Sequence, residues 1–222
     1  WPWAWPVVAW WFLIEISLLW EVFSWLPWLT DSKLLDEKNR ERIFAVIKNL
    51  EKAGKCFTQF ALRDAWEIDV LGIREANHQC MEEVIGWLLE YSLPEDRIEI
   101  YIDGCDNYEF HLPDLTYMPA RKRGQKSQKE NQSLPLLENR RTVTYMIAGD
   151  KNMPIISAAS IIAKVHRDRL MCEYNEKFPL YGFDSHKGYG TKKHKEALIN
   201  YGITSIHRKS YAPIKRLILW EW

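Results

Sequence analysis

The chain has 222 residues, 47% of them hydrophobic and 27% charged, which suits a globular protein with one sizeable core. The formal net charge is zero, so the whole-chain balance points to no particular partner. Cys56, Cys80, Cys105 and Cys172 are scattered with no Cys-x-x-Cys pair, which speaks against structural zinc and a disulfide scaffold and fits the cytoplasm.

The first 14 residues carry no charge, but Pro2 and Pro6 interrupt them and Glu15 and Glu21 follow. The run is too short to cross a bilayer and has no basic segment before it, so neither a membrane span nor a signal peptide is expected. Residues 7–14 read as a buried strand, and Asp31-Ser32-Lys33 as a polar turn. From Glu37 to Lys52, Ile43, Val46, Ile47 and Leu50 mark one helical face. Cys56 to Leu62 alternates as a strand does. Residues 67–90 read as one helix, with Ile73, Ala76, Cys80, Val84 and Leu88 on one side. Ile98 to Ile102 is a short strand that runs into Asp103-Gly104. Residues 121–135 are polar and basic and read as a flexible insertion. Thr142 to Ile147 is another strand, ending near Gly149-Asp150, and 154–176 a helix with Ile155, Ala158, Ile162 and Val165 on one face. A glycine-rich loop at 182–190, a helix near 192–201 and a basic tail complete the chain. Strands alternating with helices predict an α/β or α+β fold with a mixed sheet.

Charge is distributed unevenly. Residues 121–141 carry Arg121, Lys122, Arg123, Lys126, Lys129, Arg140 and Arg141 against Glu130 and Glu138. Residues 185–216 carry eight lysines and arginines, among them Lys187 and Arg208, against Glu196 alone. A basic C-terminal half suits a polyanion, and equally a solvated surface. Asp103 and Asp150 each follow an apolar strand and adjoin a glycine, which lets backbone or ligand approach closely. Carboxylates at strand ends can collect hard metal ions, and they also serve as turn or cap residues.

The wider motifs carry a resemblance. They are Asp103-Gly104, Gly149-Asp150 with Ile156–Asp168 (ISAASIIAKVHRD), Tyr181–Thr191 (YGFDSHKGYGT) and His207–Lys215 (HRKSYAPIK). In order and spacing they resemble the ribonuclease HII family, and Asp31-Ser32-Lys33 and Glu67-Ile68-Asp69 also fit. The resemblance covers essentially the whole chain except the insertion. It implies a ribonuclease H-like mixed sheet flanked by helices with a helical C-terminal extension. On this reading residues 1–222 form a single domain, with a catalytic core at 1–180 lacking its first strand and a substrate-binding extension at 181–222. It also implies an endonuclease that cuts the RNA strand of RNA–DNA hybrids and DNA at embedded ribonucleotides. The cofactors would be two Mn²⁺ or Mg²⁺ ions held by four carboxylates, of which Asp103 and Asp150 match the third and fourth. Tyr189 matches a tyrosine that senses the 2′-hydroxyl, the group separating RNA from DNA. Lys33, Ser157, Lys187 and Arg208 are expected to contact substrate. His186, His194 and His207 are expected to be structural or substrate-facing rather than metal ligands. A monomer with no membrane partner is expected.

The chain departs from the family pattern in several places. The family's first strand ends in Asp-Glu followed by a Gly-Arg-Gly loop, and neither is found; Trp1 falls where the loop's last glycine belongs. Leu34 replaces a frequent second lysine, and the 121–141 insertion is long. With two of four carboxylates, this chain is expected to cleave poorly, and a catalytically dead hybrid-binding module is the alternative. There are 12 Trp and 10 Gly. Trp1, Trp3, Trp5 and Trp28 stand where the family has glycine, so we read them as glycine codons (UGA) translated as tryptophan. A tryptophan-rich membrane-surface segment is the other reading. Peptide mass spectrometry on protein from the native host is expected to find glycine at positions 3, 5 and 28; tryptophan there refutes the recoding.

Overall fold

The computed structural model describes residues 7–14, 32, 34–90, 92, 98–104, 108–112, 115–121 and 141–220. Lys33, Trp28 and the 122–140 part of the insertion lie outside the described residues. The elements follow in chain order: β1 (Val7–Ile14), α1 (Glu37–Lys52), β2 (Cys56–Arg63), α2 (Ala65–Leu71), α3 (Ile73–Glu90), β3 (Ile98–Asp103), β4 (Thr116–Arg121) and β5 (Arg141–Met146). After these come α4 (Gly149–Asn152), α5 (Pro154–Lys177), a 3₁₀ turn (Pro179–Tyr181), α6 (Phe183–His186), α7 (Lys192–Tyr201) and α8 (Ala212–Trp220). Among the described residues no helix is long and apolar enough to cross a membrane.

Local chemistry sets the boundaries. Asp36 caps α1 by accepting from the Asn39 amide at 2.7 Å, and Ile43, Phe44 and Ile47 turn inward. Asp64 and Glu67 form a reciprocal capping box at the start of α2. The single helix expected over 67–90 is two helices. Gly72 sits at φ +83° and closes α2 through its N–H to the Ile68 carbonyl. That backbone conformation is easy for glycine and breaks a helix in mid-run. Several elements escaped the sequence reading. One is β4, whose Pro119 lies within the register shift between Met118 and Arg121. The others are the short α4, the 3₁₀ turn and α6, and α8, hidden in the basic tail.

β1 pairs with β2, and β3, β5 and β4 form a sheet in that order. β3 and β4 both run parallel to β5, with Asp103 opposite Met146. Among the described residues β4 pairs with β5 alone, and Pro119 falls within the register shift, where no ladder pair is formed.

The chain gathers into two compact units. The sheet unit, residues 11–59 and 82–161, contains the β3–β5–β4 sheet and buries Ile100, Ile102, Val143, Tyr145 and Ile161. The helical unit, residues 1–10, 60–81 and 162–222, is built around Met171, Tyr181, Phe183, Leu198 and Ile214. Phe183 is fully buried, with Tyr181 stacked on it at 5.3 Å. Burial of one such ring contributes about 2–3 kcal/mol.

Candidate active site

In the sheet unit the candidate site begins with parallel pairing. Because β3 and β5 run the same way, their C-terminal ends lie side by side, and the segments after Asp103 and Met146 emerge at one edge. The Gly104 amide bonds to the Met146 carbonyl at 2.9 Å and continues the ladder one step. The Asp103 carboxylate accepts the Gly149 N–H at 2.7 Å, so it is pinned to the residue immediately before Asp150. Asp103 is exposed, whereas Asp150 is only 8% exposed.

The turn that carries Asp150 is tight. Ala148 lies in the left-handed region at φ 54°, ψ 44°, a conformation that costs an L-residue on the order of 1 kcal/mol. A Cβ on Gly149 would meet Ile156 Cδ1 at 2.5 Å and Asp103 Oδ1 at 3.3 Å. Ser157 is buried, and its hydroxyl faces the Asp150 carbonyl at 2.6 Å and the Met153 carbonyl at 3.1 Å. Ser157 was expected to contact substrate; in this structure its hydroxyl is directed at the backbone of the Asp150 turn.

Carboxylates are hard oxygen donors of the kind that divalent ions prefer, and the Asp103 carboxylate lies against the amide of the residue before Asp150. In donor chemistry the two residues fit a divalent cation. Among the described residues no group of three His, Cys, Asp or Glu side chains is placed to hold a metal.

In the helical unit Tyr189 is 43% exposed and rests on cations. The Arg167 guanidinium lies 4.8 Å from the ring centroid and donates to the hydroxyl at 3.1 Å, and Lys164 Nζ is 5.6 Å from the same ring. Partial burial alone would raise the phenol's pKa, but the Arg167 hydrogen bond and the charges of Arg167 and Lys164 hold it below the ordinary phenol range. Lys164 is also paired with Asp168 at 2.5 Å. Arg167 and Lys164 were not picked out as site residues, although both lie in the quoted α5 motif. Their three-residue spacing, which puts them on one helix face, was the available signal.

Lys187 adopts a left-handed backbone at φ 47°, its ammonium facing Cys172 Sγ at 3.1 Å. Arg208 is buried, with its guanidinium 5.1 Å from the Tyr211 ring. The adjoining Lys209 and Ser210 amides are captured by Asp69 at 2.7 and 2.9 Å. That capture accounts for Asp69 within the motif.

Behind Tyr189 lie His186, His194 and His207, the last two 0% and 1% exposed. Burial pushes His194 and His207 down to about 4, helped by mutual repulsion among the imidazoles. His186 is also lowered by burial, with the Tyr181 carbonyl and Asp184 opposing and Lys193 adding to the shift.

Comparison with known proteins places these features in context. The family model described as Ribonuclease HII matches residues 28–214. The chain is 38% identical to ribonuclease HII of Desulforamulus reducens over 191 residues, which are 86% of this chain and 77% of the relative. It is 39% identical to ribonuclease HII of Coxiella burnetii (strain Dugway 5J108-111) over 194 residues, covering 86% and 76%. The fold is similar to ribonuclease H2 of Pyrococcus horikoshii, with a TM-score of 0.57 and 21% identity over 97% of this chain and 91% of that one. It is also similar to Bst-RNase HIII, solved in complex with Mn²⁺, with a TM-score of 0.65 and 13% identity over 99% and 66%.

Two outcomes are expected from this geometry. Gly149→Ala should destabilise the protein by about 1–3 kcal/mol through overpacking. Ile156→Val removes the crowding methyl, so the double variant should be more stable than the two single changes predict. Denaturant midpoints measure this, and strict additivity would count against the crowded turn.

The second outcome concerns pH. His194 and His207 bind a proton less readily folded than unfolded, where the value is about 6.5. Their contribution is complete above about 6.5 and is lost as pH falls towards about 4. Within that window each should cost about 1.4 kcal/mol per pH unit. Urea midpoints at intervals from pH 7 to pH 5 should fall, and a flat profile would mean that the rings are not buried neutral.

Proposed function

The chain belongs to the ribonuclease HII family and is a ribonuclease H, a hydrolase, and from this premise we propose that it cuts the RNA strand of RNA–DNA hybrids and DNA at embedded ribonucleotides, with divalent metal ions as cofactors. The observation that carries the reading is the Asp103 carboxylate tied to the Gly149 amide, beside Asp150. Asp103 and Asp150 would hold the metal, Mn²⁺ or Mg²⁺. The chemistry that a pair of divalent ions supplies is activation of a water and stabilisation of the leaving oxygen in phosphodiester hydrolysis.

The chain's own groups divide the rest of the work. Asp103 is oriented by the Gly149 N–H, and Asp150 by the turn that Ser157 fastens. Tyr189 presents its phenol to the 2′-hydroxyl of the ribonucleotide, with Arg167 and Lys164 beneath it. Lys33 and Lys187 neutralise phosphates, and buried Arg208 adds its field to theirs. Phosphate contacts of this kind supply most non-specific affinity. We further propose that the protein acts as a cytoplasmic monomer.

Charge balance governs activity. Two divalent ions bring four positive charges, and the 222 residues contain counterparts of two of the family's four carboxylates. Two carboxylates are too few to hold both ions at once. A labelled duplex with one embedded ribonucleotide, incubated with Mg²⁺ or Mn²⁺, tests the reading. The 222-residue chain should cleave weakly or not at all. A version preceded by the family's Asp-Glu strand and Gly-Arg-Gly loop, with tryptophan replaced by glycine, should cut on the 5′ side of the ribonucleotide. Robust cleavage by the 222-residue chain would refute the charge argument. No cleavage by the longer version would favour a hybrid-binding module instead.

A further inference from the structure

The three buried histidines have donor and acceptor roles that can be assigned from the backbone groups they meet. A neutral imidazole has one N–H donor and one acceptor nitrogen. The Thr204 amide can only donate, and it faces His207 Nδ1 at 3.0 Å, so that nitrogen accepts and the ring proton sits on Nε2. The Thr204 hydroxyl, 2.8 Å from the same nitrogen, fits the same assignment. His207 Nε2 lies 3.2 Å from His194 Nε2, which must then accept. This leaves the His194 proton on Nδ1, 3.1 Å from the Tyr189 carbonyl, which can only accept. The chain of donors closes without two protons or two lone pairs meeting.

His186 is assigned in the same way. Its Nδ1 accepts the Gly188 N–H at 3.1 Å, and its Nε2–H donates to the Tyr181 carbonyl at 2.7 Å. It stacks on His194, with ring centroids 4.5 Å apart and planes 10° from parallel. All six ring nitrogens therefore have protein partners, so the cluster presents no spare lone pair to a metal.

We propose that Thr204, His207 and His194 form a directional hydrogen-bond relay that fixes the Tyr189 backbone, making His194 and His207 positioning residues for the Tyr189 phenol. The functional half of this inference rests on the reading of Tyr189 as the ribonucleotide contact. The geometry around Tyr189 supports it. The Tyr189 amide donates to the His186 carbonyl at 2.8 Å, and its carbonyl accepts from Thr191 at 2.7 Å as well as from His194. Both peptide groups of an exposed tyrosine are thus anchored, and the phenol is left as the part that can meet a ligand. Apolar side chains could fill the same core volume, but they could not hold a carbonyl. A fully satisfied buried polar chain selects one backbone arrangement.

Two measurements test the relay. Long-range ¹⁵N–¹H correlation spectra of the unsubstituted chain should report pyrrole-type nitrogen at His194 Nδ1, His207 Nε2 and His186 Nε2. Pyridine-type nitrogen at His194 Nδ1 overturns the relay, and this readout requires no variant to fold. The second measurement is affinity for a duplex with one embedded ribonucleotide relative to an all-DNA duplex, in Ca²⁺. His194→Phe keeps a ring but removes the donor, and it should lower the preference for the ribonucleotide about tenfold, the worth of one hydrogen bond, with all-DNA affinity unchanged. His194→Asn, whose amide can replace Nδ1–H, should retain most of the preference. If Tyr189→Ala lowers the preference and His194→Phe does not, the relay's positioning role is overturned while the ribonucleotide reading stands. No preference in the unsubstituted chain, or a preference that survives Tyr189→Ala, overturns the ribonucleotide reading and the positioning role together.

Discussion

The candidate catalytic edge depends on one hydrogen bond, from the Gly149 amide to the Asp103 carboxylate at 2.7 Å. It exists because β3 and β5 are parallel neighbours, which brings two strand C-termini to one edge of the sheet. Parallel strands leave polar backbone unpaired where they end, and those groups need partners. Here a carboxylate takes one of them. Gly149 must be bare for the approach, and Ala148 must accept a left-handed backbone to turn the chain there. Strain of this kind persists only where the surroundings over-determine it. Ser157, hooked to the Asp150 carbonyl, is part of that over-determination.

Much of the sheet unit was legible in the sequence because its signals are local. Strand periodicity placed β3 and β5, and the adjoining glycines singled out Asp103 and Asp150. The C-terminal motifs carried Tyr189 and the histidines. What escaped depends on partners distant in sequence or on a single residue's backbone. Gly72 lies inside an apolar helical pattern, and only its positive φ splits α2 from α3. β4 contains a proline, which reads against a strand until its place in the register shift is known. The Ser157 hydroxyl direction and the histidine tautomers are set by carbonyls and amides that periodicity does not reveal. Lys33, Trp28 and most of the insertion lie outside the described residues.

The helical unit combines two opposite electrostatic regimes. Within residues 185–216, Lys192, Lys193, Lys195, Lys209, Lys215 and Arg216 are exposed, as the cations of a polyanion-binding face would be. Its interior holds imidazoles that burial keeps uncharged at neutral pH. A protonated ring there would add a donor where His194 and His207 already share one proton. Neutrality is therefore a condition for the packing. The cations belong on the Tyr189 face, where Arg167 and Lys164 meet a π-system and hold the phenol's pKa down.

The same device recurs in both units. Asp103 takes the Gly149 N–H, Ser157 takes the Asp150 carbonyl, Asp69 takes the Lys209 and Ser210 amides, and His194 takes the Tyr189 carbonyl. Each captured group lies in or beside a short turn, where no helix or strand ladder can satisfy it. A side-chain partner adds a fixed anchor to each of them, and at Tyr189 it supplements the Thr191 amide. Tying them to side chains rooted in helices or strands removes freedom at the residues whose placement matters. Asp103 ends a strand, Ser157 lies in α5, Asp69 in α2 and His194 in α7. The turns that carry Asp150 in the sheet unit, and Arg208 and Tyr189 in the helical unit, are thereby each tied to the regular elements beside them.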